Sequence, residues 1–288
     1  MAFLSVILAL VVDRFVPELA ARRNENWYRR GFAILARHVP LGADLKGLLL
    51  AVLAIAVPAV LAALLMGLMS GMSWVLGFAF GTLVLMFMLG PKSPLAEAAR
   101  YDAALAAEDE EAAEAVAERL LEAAVPSDPL ERTRAVVTRL LVLSSRNLFA
   151  VIFWFVLLGP AGAVAFRVAD ILRHQAEEIT GCDEAQGAAQ KIFGLLEWAP
   201  SRLLSGCYAL AGSFDDAIAE RRAYFADCSG RFFEINDDIL ACTGRGALNF
   251  PAEEASARSE FTAVMNLLNR SLVIWLASLA LLTIFGWL

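Results

Sequence analysis

The chain has 288 residues, of which 59% are hydrophobic and 19% charged, with a formal net charge of −7. That composition excludes an ordinary soluble domain, and the acidic balance argues against nucleic acid as a partner. His38 and His174 are the only histidines, and Cys182, Cys207, Cys228 and Cys242 form no CxxC pair. No metal site is therefore expected, and the thiols read as reduced and packed or facing the cytosol.

Met1–Val12 is apolar but short for a full crossing, and it lacks the basic start and small-residue cleavage site of a signal peptide. It reads as a retained membrane segment. Asp13–Lys46 follows with Arg14, Arg22, Arg23, Arg29, Arg30, Arg37 and Lys46, an excess of cations that marks a cytoplasmic loop. Leu48–Met69 is a span that tolerates Pro58, Ser70–Ser73 is a tight uncharged turn, and Trp74–Gly90 is the return, with Trp74 at the outer interface.

Polar sequence then runs from Pro91 to Arg146. Ser93-Pro94 signals a helix start, and the alanine- and glutamate-rich run to Ala124 is a strong helix former. Pro126-Ser127-Asp128-Pro129 ends it, and Asp128, Pro129 and Glu131 form the start signal of a second helix. This pair reads as a cytoplasmic helical hairpin. Glu108–Glu111 reads as a solvated acidic face.

Asn147–Ala169 is a membrane-length apolar stretch broken by Gly159-Pro160 and flanked by Arg146 and Arg167. A break at membrane depth frees backbone groups that lipid cannot satisfy, so it must face protein or a polar cavity. Asp170–Gln190 reads as a short connection, and Asp170 and Arg173 are spaced for a local ion pair. Ile192–Gly212 holds Glu197, Pro200 and Arg202 and is expected to be a buried, broken or re-entrant helix. If it returns the chain, the arginines of Phe214–Arg270 face the cytoplasm, as the positive-inside rule prefers; if it does not, they lie outside. Ser271–Leu288 is a terminal span.

Arg202 is the most informative charge. An arginine near a helix centre costs about 2.5–3.5 kcal/mol on insertion scales unless a carboxylate, a polar cavity or an anion receives it. Glu197 is a candidate partner, with Pro200 able to bend the two together; a structural ion pair and an anion contact both fit. Arg146 and Arg167 are read either as snorkelling interface residues or, for Arg146 with Asn147, as facing a cytoplasmic cavity. Phe149, Phe153, Trp154, Phe155 and Trp198 read as packing. Phosphate-loop, dinucleotide-binding, nucleophile-elbow and HExxH patterns are absent.

Two blocks carry a resemblance. Phe153-Trp154, Leu158-Gly159, Gly162-Ala163 and Phe166-Arg167, followed by Glu197-Trp198-Ala199-Pro200-Ser201-Arg202-Leu203, resemble the landmarks of the CobD/CbiB membrane family. That family implies an ATP-dependent amide-forming synthase of cobalamin biosynthesis, with magnesium held by carboxylates. Arg146, Arg173 and the Phe193-Gly194 pair stand where that pattern carries acidic residues, which argues against the synthase chemistry. The arginine before the Phe-Trp block, Asp13-Arg14 and the acidic-Trp-x-Pro-x-Arg-Leu segment resemble AmpE, a related branch. AmpE implies an inner-membrane regulatory or signalling modulator linked to β-lactamase induction and cell-wall recycling.

The resulting expectation is an all-α, polytopic membrane protein of the bacterial inner membrane. Its parts are a membrane segment, basic loop and hairpin (1–90), a cytoplasmic helical hairpin (91–146), a broken-helix core (147–212), a polar helical region (213–270) and a final span (271–288). Arg146, Asn147, Arg167, Asp170, Glu197 and Arg202 are the candidate ligand-binding residues, with Gly159, Pro160 and Pro200 as structural breaks. The expected ligand is an anionic cell-wall metabolite bearing phosphate or carboxylate. Lipid, a membrane or cytoplasmic signalling partner and an oligomer are the other expected associations. No cofactor is expected; ATP and magnesium belong to the synthase alternative, which would draw carboxylates from Asp170, Asp215 or Asp216. A structural scaffold is the third reading.

Overall fold

The apolar blocks and alanine-rich runs fold as helices, and no strand occurs among the described residues, in agreement with the all-α expectation. The computed structural model describes residues 2–15, 28, 32, 43–89, 94–121, 124–180, 183–227, 235–249 and 256–284. The helices are α1 (Ala2–Phe15), α2 (Ala43–Met72), α3 (Trp74–Met88), α4 (Pro94–Ala106), α5 (Glu110–Leu121) and α6 (Pro129–Ser144). A π-helical turn, Ser145–Phe149, leads into α7 (Ala150–Leu158). Then come α8 (Pro160–Thr180), α9 (Asp183–Ala211), α10 (Phe214–Asp227), α11 (Asn236–Leu248) and α12 (Ala257–Ile284). Among the described residues, three helices are long and apolar enough to cross a membrane: Gly47–Met72, Pro129–Leu158 and Ala257–Ile284. Most of the basic loop expected at Asp13–Lys46 lies outside the described residues.

The chain divides into two compact units. The first comprises Met1–Pro91, Ala150–Trp198 and Leu282–Leu288. Here α2 and α3 form the expected hairpin, with Pro58 inside α2 and Ser73 capping α3 by accepting the Val75 N–H at 3.2 Å. Helix α8 packs against α2, α3 and α7, and its residues Phe166–Leu172 are all buried.

Gly159 and Pro160 do not kink one helix; they join two. Gly159 takes φ +67, the left-handed conformation that ends α7. Pro160, which needs no hydrogen-bond partner for its nitrogen, opens α8. The freed groups are met locally, since Gly162 N–H and Ala163 N–H donate to the Gly159 carbonyl at 3.1 and 3.4 Å. The hairpin closes tightly enough that a Cβ on Gly162 would lie 2.3 Å from the Trp154 carbonyl oxygen. Asp170–Gln190, read from sequence as a connection, lies largely within α8 and α9.

At Pro200, where a break was expected, α9 continues to Ala211. A helical proline lacks the N–H that would bond the carbonyl four residues earlier. That carbonyl belongs to Leu196, and the Trp154 indole Nε1–H donates to it at 3.0 Å. The missing donor is thus replaced from α7, and the helix has no orphan acceptor there to drive it apart.

The second unit comprises Lys92–Phe149 and Ala199–Leu281. Asp128 caps α6 as its sequence signal predicted, accepting the Glu131 N–H at 2.8 Å, with Pro129 opening the helix. The alanine-rich run is not one helix. Glu108 adopts φ 54 and the Asp109 carboxylate accepts the Ala112 N–H at 3.0 Å, so α4 stops and α5 restarts. A local side-chain cap outcompetes continued helix even in a segment of high propensity. Helix α6 packs against α4, α5 and α11, and α10 packs against α11.

Helix α12 runs parallel to the α6 helix in a single register. Arg134 donates to Glu260, 126 positions later in the chain. Phe149 meets Trp275 edge to face, with ring centroids 5.6 Å apart, at the same offset. The two contacts lie about 22 Å apart along either helix at 1.5 Å per residue, which fixes parallel directions. Ser145 and Ser271 share the offset, and both hydroxyls are buried without a hydrogen-bond partner.

Two stability predictions follow from these polar groups. Trp154→Phe should destabilise the protein by about 1–3 kcal/mol, because it strips the Leu196 carbonyl of its donor. Pro200→Ala restores a backbone N–H to that carbonyl, so the double variant should lose less than the two single variants added together. Denaturant unfolding in detergent micelles measures this cycle, and strict additivity would refute the proposed donor replacement. Ser271→Ala removes an unsatisfied buried hydroxyl and should be neutral or stabilising by about 1 kcal/mol. A clear loss of stability in the same assay would show that the hydroxyl is engaged.

Candidate functional site

In the first unit, the middle of α8 gathers three charges. Asp170 accepts from Arg167 Nη1 at 2.9 Å through one oxygen, and from Arg173 Nε at 3.0 Å and Nη2 at 2.9 Å through the other. The side chains are largely buried, at 7%, 12% and 12% exposure for Arg167, Asp170 and Arg173. Helical spacing of three residues places each arginine one turn from the aspartate. The Arg173 guanidinium also lies over the Phe193 ring, 4.1 Å from its centroid, and Phe193 in turn packs on Phe166. Phe193 thus stands on the face of α9 that meets this cluster. Glu197 is buried one turn farther along α9.

In the second unit the organising feature is the first turn of α11, Asn236-Asp237-Asp238. Arg202 Nη1 donates to Asn236 Oδ1 at 2.7 Å. Arg146, buried in the π turn, donates from Nη2 to both Asp237 oxygens. Tyr224 donates its hydroxyl proton to Asp238. Ile235 makes no side-chain cap at this helix start, so the acidic residues of the first turn supply the negative charge that a helix N-terminus favours. Burial and then the nearby Arg221 guanidinium lower the Arg202 pKa to about 10, which leaves it protonated at neutral pH.

Asp237 and Asp238 also form one side of a cavity of about 710 Å³. Helix α6 contributes Arg134, Thr138 and Arg139, α11 contributes Arg245, and Val137, Val142 and Ala241 supply apolar surface. Arg134 is held by Glu260, whose carboxylate is only 1% exposed, and Arg139 Nε donates to the Leu120 carbonyl at 3.1 Å. Arg245 is exposed and has no ion-pair partner among the described residues. Arginines that line one concavity suit a carboxylate or phosphate, and the two aspartates that line it with them suit a donor group on the same ligand.

The six residues picked from sequence therefore fall into two groups. Arg167 and Asp170 bond directly in the first unit, where Glu197 also lies. Arg146 and Arg202, in the second unit, are brought to consecutive residues of α11, and Asn147 sits beside Arg146 in the π turn. Sequence reading missed Asn236, Asp237 and Asp238. Their one signal is the need of Arg146 and Arg202 for partners, which says nothing about where in the chain those partners lie. It also passed over Arg134, Arg139 and Arg245 because they occupy polar stretches. Asp215 and Asp216 open α10; Asp216 accepts from Ser213 and from Asn249 Nδ2 at 2.7 Å. Among the described residues no three His, Cys, Asp or Glu side chains cluster as metal ligands. Cys207 and Cys242 are free thiols, both pushed up by burial; Cys182 and Cys228 lie outside the described residues.

Residues 1–288 match the family described as regulatory signalling modulator protein AmpE. The chain belongs to the AmpE family. No curated protein and no solved structure matches it. In this AmpE chain the motif residues shared by the two sequence blocks now have physical roles. Trp154 supplies the donor that Pro200 withholds, Gly159 and Gly162 allow the hairpin to close, and Arg202 anchors the start of α11.

Removing Asp237 should expose how much the second unit depends on this anchor. Arg146 is almost fully buried while Asp237 is partly solvated, so Asp237→Ala should cost about 2–3 kcal/mol, less than a fully buried pair would. Asp237→Asn keeps a hydrogen-bond acceptor and should cost less than the alanine variant. Equal stability of all three proteins in denaturant melts would show the pair to be energetically idle.

Proposed function

We propose that this AmpE-family protein is a multi-pass regulatory modulator of the bacterial inner membrane that binds an anionic cell-wall metabolite and links it to β-lactamase induction. Family membership over the whole chain supports the regulatory role. The observation that carries the ligand reading is the cavity between α6 and α11, lined by Arg134, Arg139 and Arg245 together with Asp237 and Asp238. Its ligand would present a carboxylate or phosphate to the arginines and rest an apolar portion against Val137, Val142 and Ala241. Asp237 both lines the cavity and holds Arg146, so a ligand that competes for Asp237 alters the charge balance of the π turn. A π turn carries one residue more than the regular helix and is a natural point for a register change, which gives occupancy a route to the helix that follows.

A cavity of this size favours a binding module over a pure scaffold. The amide-ligase alternative needs several carboxylates free to hold magnesium together, and two of its three candidates are engaged, Asp170 by two arginines and Asp216 by Ser213 and Asn249, which leaves only the exposed Asp215. Its link to the CobD/CbiB proteins rests on the two motif blocks alone.

Calorimetry on the protein in lipid nanodiscs tests the reading, with a soluble digest of bacterial cell wall as one titrant and Mg-ATP as another. Saturable binding of digest components is expected, weakened about tenfold or more by Arg245→Ala, the loss of one charge-assisted contact. Absence of binding by well-folded protein would overturn the ligand reading. Saturable Mg-ATP binding would restore the ligase. In cells, an Arg245→Ala strain with unchanged β-lactamase induction would sink the proposed coupling.

A further inference from the structure

We infer that α7 and α8 form a re-entrant hairpin, which turns inside the bilayer and returns the chain to the side on which α2 begins. The inference depends on α2 crossing the membrane and not on ligand binding. Every contact that carries it lies within the first unit.

Helix α2 provides the ruler. Its apolar run Gly47–Met72 is about 39 Å long at 1.5 Å per residue, enough to cross a hydrocarbon core of about 30 Å. The α7–α8 turn can be placed on that ruler. A Cβ on Gly81 of α3 would lie 3.7 Å from Phe155, 3.9 Å from Met66 and 3.9 Å from Pro160. The turn therefore sits level with Met66, about 9 Å short of the end of α2 at Met72. The return is placed equally well. A Cβ on Gly47 would lie 2.7 Å from Glu184 Cβ, so the start of α9 meets the start of the apolar run. Between these points α8 packs along α2. It descends from the Met66 level to the Gly47 level, antiparallel to α2.

The chemistry of the turn fits burial in the membrane. Pro160 brings no N–H, and the Gly162 and Ala163 donors are spent on the Gly159 carbonyl. Leu157 and Leu158 at the tip are exposed, a surface that suits lipid. Asp170 lies about 15 Å along α8 from the turn, which puts the Arg167–Asp170–Arg173 cluster at bilayer depth. There the charges are enclosed by protein and both arginines are paired through Asp170, as charges at that depth are. Composition alone misses α8 because those three residues lower its hydropathy.

Cysteine accessibility tests this. Gly71→Cys, Leu158→Cys and Glu184→Cys would be made singly in a chain with the four native cysteines replaced by alanine. A membrane-impermeant maleimide would then be applied to sealed vesicles of each orientation. Gly71→Cys should label from one side and Glu184→Cys from the other. Leu158→Cys should label about tenfold less than either from both sides, because its thiol is withheld from water. Labelling of Leu158→Cys from the Gly71 side would show a full crossing and overturn the inference, as would labelling of Gly71→Cys and Glu184→Cys from one side. Should the cysteine-free chain not fold, epitope tags inserted after Gly71 and after Thr180 in the native chain decide the sidedness by antibody access. Tags on one side would overturn the inference, as would labelling of Leu158→Cys in the native chain from the Gly71 side, located by peptide mapping; tags on opposite sides with Leu158→Cys unlabelled would sustain it.

Discussion

Pro200 withholds the backbone donor that the Leu196 carbonyl would have used, and the Trp154 indole supplies it. In an apolar setting that substitution matters more than in water, since a freed carbonyl has no solvent to turn to. The same tryptophan sits where its own carbonyl faces Gly162 across the Gly159 turn. One residue therefore fixes the approach of α8 to α7 and the continuity of α9. Much of the first unit hangs on it: α8 must lie close to α7 for the Arg167–Asp170–Arg173 cluster to be enclosed, and the Trp154–Leu196 bond ties α7 to α9 less than one turn from Phe193, the ring under Arg173.

The second unit solves the same problem with charge. Arginine side chains on α6, the π turn and α9 each find a polar partner far away in sequence: Arg134 with Glu260, Arg146 with Asp237, Arg202 with Asn236. Arg146 is almost fully buried, as is the Glu260 carboxylate beneath the half-exposed Arg134, so in these two pairs the buried charge holds its partner in place by the penalty for being left alone. The Arg134–Glu260 contact also sets a register, and the Phe149–Trp275 contact repeats it at the other end. A charge pair and an aromatic pair thereby specify which face of α12 turns inward, a face that also carries Val264, Leu268 and Ser271.

Local signals were legible in the chain. Asp128-Pro129 announces a helix start, Gly159-Pro160 announces a break, and Ser70–Ser73 announces a turn, because each acts within a turn of itself. Two readings failed, one for a local reason and one for a distant one. Glu108-Asp109 breaks the alanine-rich run without glycine or proline, through a left-handed backbone and one carboxylate cap. Pro200 fails to break α9 because its remedy lies on another helix. Pairings such as Arg134 with Glu260, 126 positions apart, leave no periodic trace. The candidate site follows the same division: Arg146 and Arg202 stood out as charges in apolar segments, whereas Asn236, Asp237 and Arg245 look like ordinary surface residues until the fold sets them beside those arginines.

Asp237 stands where these two kinds of information meet. Its carboxylate belongs at once to a solvated cavity and to an almost fully buried guanidinium in a π turn. A group with one foot in water can exchange partners at modest cost, while the arginine it neutralises cannot remain alone. Such a pair has two inexpensive arrangements only if an incoming anion replaces the carboxylate on Arg146. Any modulation that passes through this point is therefore a matter of charge exchange, and its sensitivity is set by the partial exposure of Asp237 instead of by the strength of the buried pair.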